Sequence, residues 1–213
     1  MVDGFTQFDA SDMRRFAAFL ALALVSGTWK FTVPGMPATF SAGSAFAVIG
    51  IAEFSLGEAL AMGCASILVQ SLWRSIQRQP VRRAFFNVAG VAFGITLAYN
   101  PAHFKLAAGL QKAPGMLFLA ALVYFVTNTA LVAGMVALME EAEFLAVWRR
   151  LAGYGLVYYV ASSLVATTII VTDRLWGWPI GLCILPLLYL IYCGYCTYLR
   201  SRGMLTQPER TAR

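Results

Sequence analysis

Residues 113–139 read APGMLFLAALVYFVTNTALVAGMVALM, and this stretch contains no charged side chain. A helix needs about 20 predominantly apolar residues to cross the hydrocarbon core of a bilayer. The stretch exceeds that length and is the longest uncharged one in the chain. We therefore predict a membrane-spanning helix here and look for other uncharged stretches of similar length.

Uncharged stretches of similar character recur along the chain. They cover residues 16–29, 31–52, 59–73, 84–103, 151–172 and 175–199. Of the 213 residues, 60% are hydrophobic and 12% are charged, and the mean hydropathy is +0.70. Soluble domains carry about a quarter charged residues, so this composition indicates lipid as the main solvent. The sequence predicts an all-α, polytopic membrane bundle of six or seven transmembrane helices.

The chain is predicted to form one domain, 1–213, with a polar N-terminal tail at 1–13 and a C-terminal tail at 200–213. Whether the segment 16–29 crosses the membrane is left open, because as a helix it is only about 21 Å long and the hydrocarbon core is about 30 Å thick. In the stretch 31–52, Pro34 and Pro37 interrupt regular structure, so its helix is expected to begin near Ala38.

Basic residues set the predicted orientation. The densest cluster in a short loop consists of Arg74, Arg78, Arg82 and Arg83. The positive-inside rule places this cluster in the cytoplasm, and counting crossings then places the C-terminus there too, in a bacterial inner membrane. A full crossing by 16–29 would put Arg14 and Arg15 outside and give seven spans. Alternatively, this short helix lies in or along the membrane and six helices cross. Glu53 and Glu58 bracket the turn FSLG and are expected in a solvated outer loop. Segment 143–150, EFLAVWRR, is expected as an amphipathic inner-surface helix with Trp148 at headgroup depth.

No pattern in the sequence indicates catalysis or a cofactor. Walker A, GxSxG and HExxH motifs are absent, and His103 is the single histidine. Cys193 and Cys196 have CxxC spacing but lie inside an apolar run, where thiolate activation is not expected. The positive charges sit at the ends of apolar runs and form no stripe for nucleic acid. We expect a non-enzyme with no metal, no cofactor and no nucleic-acid partner.

Polar residues at membrane depth are the candidate site. Asn87 and Asn128 lie within apolar runs, and an unpaired amide in hydrocarbon costs a few kcal/mol, so both should face the interior. One hypothesis makes them part of a ligand site with Tyr124 and Tyr99. The alternative is that both asparagines only join helices by hydrogen bonds. Gly90 and Gly94 lie on the same face as Asn87. Their GxxxG spacing permits close approach of a neighbouring helix, so we expect both to lie at a helix contact.

A second polar face contains Gln70, Trp73 and Arg74, at helical spacing where the stretch 59–73 meets the inner surface. The functional hypothesis is a relay from the bundle to a protein partner. The alternative is an arginine that extends to the headgroups beside an interfacial tryptophan.

Several segments in this order resemble a known family. They are EFSLGEALAMGCASILVQSLWR, RRAFFNVAGVAFG, ALVYFVTNTALVA, VWRRLAGYGLVYY and WGWPIGLCILPLLYLIY. The order resembles membrane-associated sensor domains of the MASE type, which precede HD-GYP and GGDEF signalling domains. It is loosely similar to the substrate-binding S-components of energy-coupling-factor vitamin transporters.

The resemblance implies a membrane-embedded sensor that binds a small or lipophilic ligand. In the signalling proteins an enzymatic module follows the last helix, whereas here only a short tail follows Arg200. Cyclic-di-GMP chemistry is therefore not expected, and output is expected through a separate protein partner. The alternatives are a substrate-binding subunit of a solute or vitamin uptake transporter and a structural subunit of a larger membrane complex.

Overall fold

The computed structural model describes residues 10–32, 39–41, 43–73, 80–103 and 114–182, together with residues 189, 190, 193, 194 and 197. The predicted all-helical class is confirmed. The helices are α1 (Ala10–Thr28), α2 (Gly43–Glu53), α3 (Leu56–Leu72), α4 (Pro80–His103), α5 (Pro114–Glu140), α6 (Phe144–Trp176) and α7 (Trp178–Leu182). One pair of short strands, β1 (Lys30–Thr32) and β2 (Thr39–Ser41), connects α1 to α2.

Among the described residues, two helices are long and apolar enough to cross a membrane. They correspond to Val81–Asn100 in α4 and Leu117–Glu140 in α5. Helix α6 adds a third if its two parts, Phe144–Gly153 and Tyr158–Trp176, count as one span bent by 46°. Helices α2 and α3 are apolar but shorter, with 11 and 17 residues, so they rise only about 16 and 26 Å. The described helices therefore support two or three spans by length and composition.

The connection before α2 differs from the sequence prediction. A helix beginning near Ala38 was expected, but residues 39–41 form β2, which pairs antiparallel with β1 so that Lys30 lies opposite Ser41. Thr39 and Phe40 are residue types that favour strands over helices. Helix α2 therefore begins only at Gly43, where the Ser41 hydroxyl accepts a hydrogen bond from the Gly43 N–H at 3.4 Å.

Successive helices from α1 to α6 run in alternating directions. Arg15, near the start of α1, contacts Glu53 at the end of α2 and Asp173 near the end of α6. We call this the Glu53 end. Arg83, near the start of α4, reaches Met139 close to the end of α5, and we call this the Arg83 end.

One face of helix α1 packs along α3, whereas Val25 on another face is 50% exposed. Phe19 and Ala23 of α1 are fully buried. Gly27 lies so close to α3 that a Cβ atom on it would be 2.7 Å from the carbonyl oxygen of Ser66. Small residues at this crossing let the two backbones approach closely. The short segment whose crossing was in question is therefore part of the helical core.

The expectation of a solvated loop around Glu53 is wrong. Glu53 is 11% exposed and forms ion pairs with Arg15 at 3.0 Å and with Arg174 at 2.5 Å. Arg15 also pairs with Asp173 at 2.5 Å. Glu58 instead closes a capping box at the start of α3, where it exchanges hydrogen bonds with Ser55. Partners far away in sequence decide the environment of Glu53, and a local pattern does not reveal them.

The amphipathic segment predicted at 143–150 is the first part of α6 and is continuous with it. Residues 144, 145, 149 and 150 are exposed there. Trp148 is only partly exposed, because its indole N–H donates to the Thr129 hydroxyl of α5 at 3.3 Å. This tryptophan therefore anchors the start of α6 to α5.

Candidate functional site

A cluster of three hydroxyl groups joins α2 to α6 inside the bundle. The Ser44 hydroxyl lies 2.6 Å from the Tyr158 hydroxyl and donates to the Ser162 hydroxyl at 2.9 Å. Tyr158 and Ser162 are four residues apart on α6 and therefore share one helical face. Ser44 is the second residue of the short helix α2, so the short helix brings its first turn to this face.

The cluster lies deep within the bundle. Tyr158 precedes Asp173 by fifteen residues on α6, which corresponds to about 22 Å of helix from the Glu53 end. Gly43, at the start of α2, lies against Ser66, which is about 15 Å along α3 from the same end. Helix α2 therefore begins near mid-depth and runs only toward the Glu53 end.

A second polar contact lies beside the first. The amide of Asn128 donates to the Tyr159 hydroxyl at 2.6 Å, and Tyr159 is 6% exposed. The ring of Tyr159 packs edge-on against the rings of Tyr158 and Tyr124, with centroids 5.4 and 6.0 Å apart. Asn128, Tyr124 and Tyr159 therefore adjoin the hydroxyl cluster through the ring of Tyr158. We call the whole set the polar cluster.

Helix α3 holds the start of α2 through a further polar pair. The Ser41 hydroxyl donates to the side-chain oxygen of Gln70 at 2.5 Å and also accepts from the Gly43 N–H. Both side chains are buried. This pair fixes the position at which α2 begins relative to α3.

The structure gives the predicted site residues different surroundings. Asn128 and Tyr124 belong to the polar cluster. Asn87 lies near the Arg83 end, where it donates to the Ser71 hydroxyl of α3 at 3.0 Å. Tyr99 lies at the Glu53 end, where its hydroxyl donates to the carbonyl of Phe54 at 3.3 Å. The four residues of the ligand-site hypothesis therefore do not meet in one place.

The glycines predicted to pack do face a neighbouring helix. A Cβ on Gly94 would meet the Tyr124 ring at 3.2 Å, and one on Gly90 would meet Leu131 at 3.6 Å. Both neighbours belong to α5. Gly94 therefore leaves room for the Tyr124 ring against α4.

The residues of the relay hypothesis also occupy distinct surroundings. Gln70 is buried against β2, whereas Trp73 is half-exposed at the end of α3. Arg74 lies outside the described residues. The relay hypothesis is therefore supported only by the helical spacing of the three residues in the sequence.

Sequence reasoning missed Ser44, Tyr158, Tyr159 and Ser162 of the polar cluster. The available signal, for Ser44 alone, was the stretch SAGSAFAVIGIA, in which a serine stands in the first turn of an otherwise apolar helix. Serine is common in membrane helices as a small residue at helix contacts, so its presence alone does not mark a site. Only the meeting of α2 with α6 shows which serines share partners.

The groups of the polar cluster can bind but are poorly suited to proton chemistry. Serine and tyrosine hydroxyls and the asparagine amide are neutral at pH 7, and they both donate and accept hydrogen bonds. Such groups, set among aromatic rings, can orient a small molecule that has a polar part and an apolar part.

No protein-family model matches the chain, and comparison with curated proteins and with solved structures gives no match either. The resemblance to membrane-associated sensor domains and to vitamin-transporter subunits therefore stays a prediction.

Proposed function

We propose that this chain is a non-enzymatic, membrane-embedded binding domain that takes a small molecule at the polar cluster and acts through a separate protein partner. The observation that carries the proposal is the shared hydroxyl contact of Ser44 with Tyr158 and Ser162. Beside it, Asn128 and Tyr159 add a second hydrogen-bonded pair.

The physical support is the cost of such a cluster. Polar groups buried among apolar side chains lose hydration, and a bundle that only had to pack would be as stable with apolar residues of similar size. Here hydroxyl and amide groups from α2, α5 and α6 converge at mid-depth. This convergence of several polar groups beside aromatic rings is the feature that favours a binding site over packing alone.

We further propose that the bundle lies in a bacterial inner membrane and crosses it six or seven times, with the C-terminus in the cytoplasm. Arg82, Arg83, Arg149 and Arg150 belong to segments at the Arg83 end, which the positive-inside rule assigns to the cytoplasm. Large apolar side chains face outward between the two ends, as Leu164 of α6 does with 64% exposure. Lipid is the solvent that such a surface fits.

The test is native purification of the full chain, followed by mass spectrometry of bound small molecules. We expect one small molecule to copurify, and we expect its occupancy to fall about tenfold in Tyr158→Phe and Ser44→Ala, since each removes a hydroxyl that would bond the ligand. The matched control is Thr168→Val on the exposed side of α6, where the hydroxyl bonds only its own helix at Leu164. Recovery of the protein from native membranes without a bound small molecule, or unchanged ligand occupancy in both cluster variants, would overturn the proposal.

A second candidate is the substrate-binding subunit of an uptake transporter. It is favoured by the 11-residue helix α2, which begins inside the bundle. Transporters build substrate sites near the bilayer midplane from interrupted helices of this kind. Copurification with an ATPase pair and ATP-dependent uptake in proteoliposomes would select this candidate over the sensor. Stoichiometric retention in a large complex without a bound molecule would select the structural alternative.

A further inference from the structure

The first turn of α2 presents a positive partial charge inside the bundle. The first four N–H groups of any helix lack partners in the helix, and the aligned peptide dipoles place about half a positive charge there. The Gly43 N–H meets the Ser41 hydroxyl at 3.4 Å, which is longer than the usual 2.9–3.0 Å. The start of α2 therefore favours a negative group close to Gly43 and Ser44.

An independent feature on α3 points to the same place. Ser66 is 3% exposed, and its hydroxyl is buried without a hydrogen-bond partner. Ser26, a comparably buried serine of α1, bonds the Ala23 carbonyl of its own helix at 2.9 Å. The Ser66 hydroxyl instead lies against Gly43, in the space that a Cβ at that position would fill. It is a buried donor held beside the start of α2.

The surrounding charges agree with a negative ligand group. The carboxylates of Glu53 and Asp173 are engaged by arginines at the Glu53 end, about 15 Å or more along the helices from this place.

We infer that the ligand of this site carries an oxyanion, a carboxylate or a phosphate, and that this group binds at the N-terminus of α2 with the Ser66 hydroxyl as an additional donor. The inference rests on the proposed function and specifies its ligand class. The oxyanion accepts hydrogen bonds from the first-turn N–H groups, and from Ser44 once its hydroxyl turns its proton away from Ser162. The rest of the ligand then lies toward Tyr158 and the neighbouring tyrosines.

The test uses the full chain in nanodiscs of neutral phosphatidylcholine. Thermal unfolding is followed while sodium butyrate or inorganic phosphate is added, with butyramide and sodium chloride at matched ionic strength as controls. We expect butyrate or phosphate to raise the unfolding midpoint and the two controls to have no effect. In a parallel experiment no soluble anion is added, and the nanodiscs contain phosphatidylglycerol, an anionic lipid.

Variants decide whether the effect belongs to this site. Ser66→Ala is expected to weaken oxyanion binding about tenfold, because it removes one hydrogen bond to a charged group. Ser26→Ala removes a buried serine whose hydroxyl is already bonded, and should bind as the native chain does. Gly43→Ala should also weaken binding by closing the approach to the first turn. If that variant fails to fold, Ser66→Ala decides, because alanine fits the space of serine.

The outcomes separate the two proposals. Stabilisation by a soluble anion that is lost in Ser66→Ala supports a free oxyanion ligand. Stabilisation only in phosphatidylglycerol discs, lost in the same variant, assigns the oxyanion to a lipid headgroup. An equal response in Ser66→Ala, or no response to any anion, overturns the inference. When the oxyanion inference is overturned in this way, a neutral molecule that copurifies with the protein still supports the proposed function. If no small molecule copurifies, the proposed function and the oxyanion inference both fail.

Discussion

The hydroxyl of Ser44 lies 2.6 Å from the hydroxyl of Tyr158, although 114 residues separate them in the chain. The contact joins the first turn of α2 to the middle of α6. Because α2 ends at Glu53, which pairs with Arg15 and Arg174, the same short helix is held by hydroxyls at one end and by charges at the other. A ligand that displaces the hydroxyl contact would therefore act on a helix whose far end is tied to α1 and α6.

The contact between Asn128 and Tyr159 should show measurable coupling. We expect Asn128→Leu and Tyr159→Phe each to lower the free energy of unfolding, and a double-mutant cycle to give a coupling of about 0.6–1.7 kcal/mol, the range for interhelical hydrogen bonds in membranes. The measurement is unfolding of the purified protein by SDS titration in mixed micelles. Strict additivity of the two changes would contradict the hydrogen bond.

Asn87 should behave differently from Asn128, because it joins α4 to α3 through Ser71 and lies away from the polar cluster. Asn87→Leu is expected to lower the free energy of unfolding by about 1 kcal/mol while leaving ligand occupancy unchanged. Mass spectrometry of copurifying molecules beside the same SDS titration checks this. If Asn87→Leu loses the ligand while its free energy of unfolding is unchanged, Asn87 is part of the binding site.

The ion pairs at the Glu53 end should stabilise the bundle. Arg15 is only 22% exposed on its side chain and bridges two carboxylates from α2 and α6, so Arg15→Met leaves both with a missing partner. We expect a loss of about 1–3 kcal/mol, between the values for surface and buried pairs. The adjacent Arg14 is exposed, and Arg14→Met should cost little. Equal effects of the two substitutions on thermal unfolding would refute the bridge.

The tight crossing of α1 and α3 can be tested with one methyl group. In Gly27→Ala the new Cβ would lie 2.7 Å from the backbone oxygen of Ser66, so the helices must separate, and we expect a destabilisation of about 1–3 kcal/mol. The control is Gly134→Ala on α5, where nothing lies within 4 Å of the added atom. There the better helix propensity of alanine should stabilise by about 0.5–1 kcal/mol. The order of the two thermal unfolding midpoints is the readout.

The orientation of the two ends is open to chemical labelling. In a background with all four cysteines replaced by alanine, Gly57→Cys reports the Glu53 end and Arg82→Cys reports the Arg83 end. A membrane-impermeant maleimide added to intact bacterial cells or spheroplasts should label Gly57→Cys at once, and Arg82→Cys only after permeabilisation. The reverse pattern would overturn the cytoplasmic assignment of the Arg83 end.

The sequence by itself determined the helical class and the approximate position of most helices. The apolar stretches 84–103 and 113–139 became α4 and α5, because a long run without charges has few alternatives to a helix in an apolar solvent. The start of α2 was predicted less well. The strand pair and the helix beginning at Gly43 depend on the pairing of β2 with β1, which local propensity does not specify.

Tertiary structure alone decided which polar residues work together. Asn87 and Asn128 look equivalent in sequence, since each is an amide within an apolar run, but one joins α4 to α3 and the other belongs to the polar cluster. Glu53 looked like a loop residue until the packing of α1 brought Arg15 to it. Hydropathy reports the solvent that each residue type prefers, and it carries no information about a hydrogen-bond partner 114 residues away.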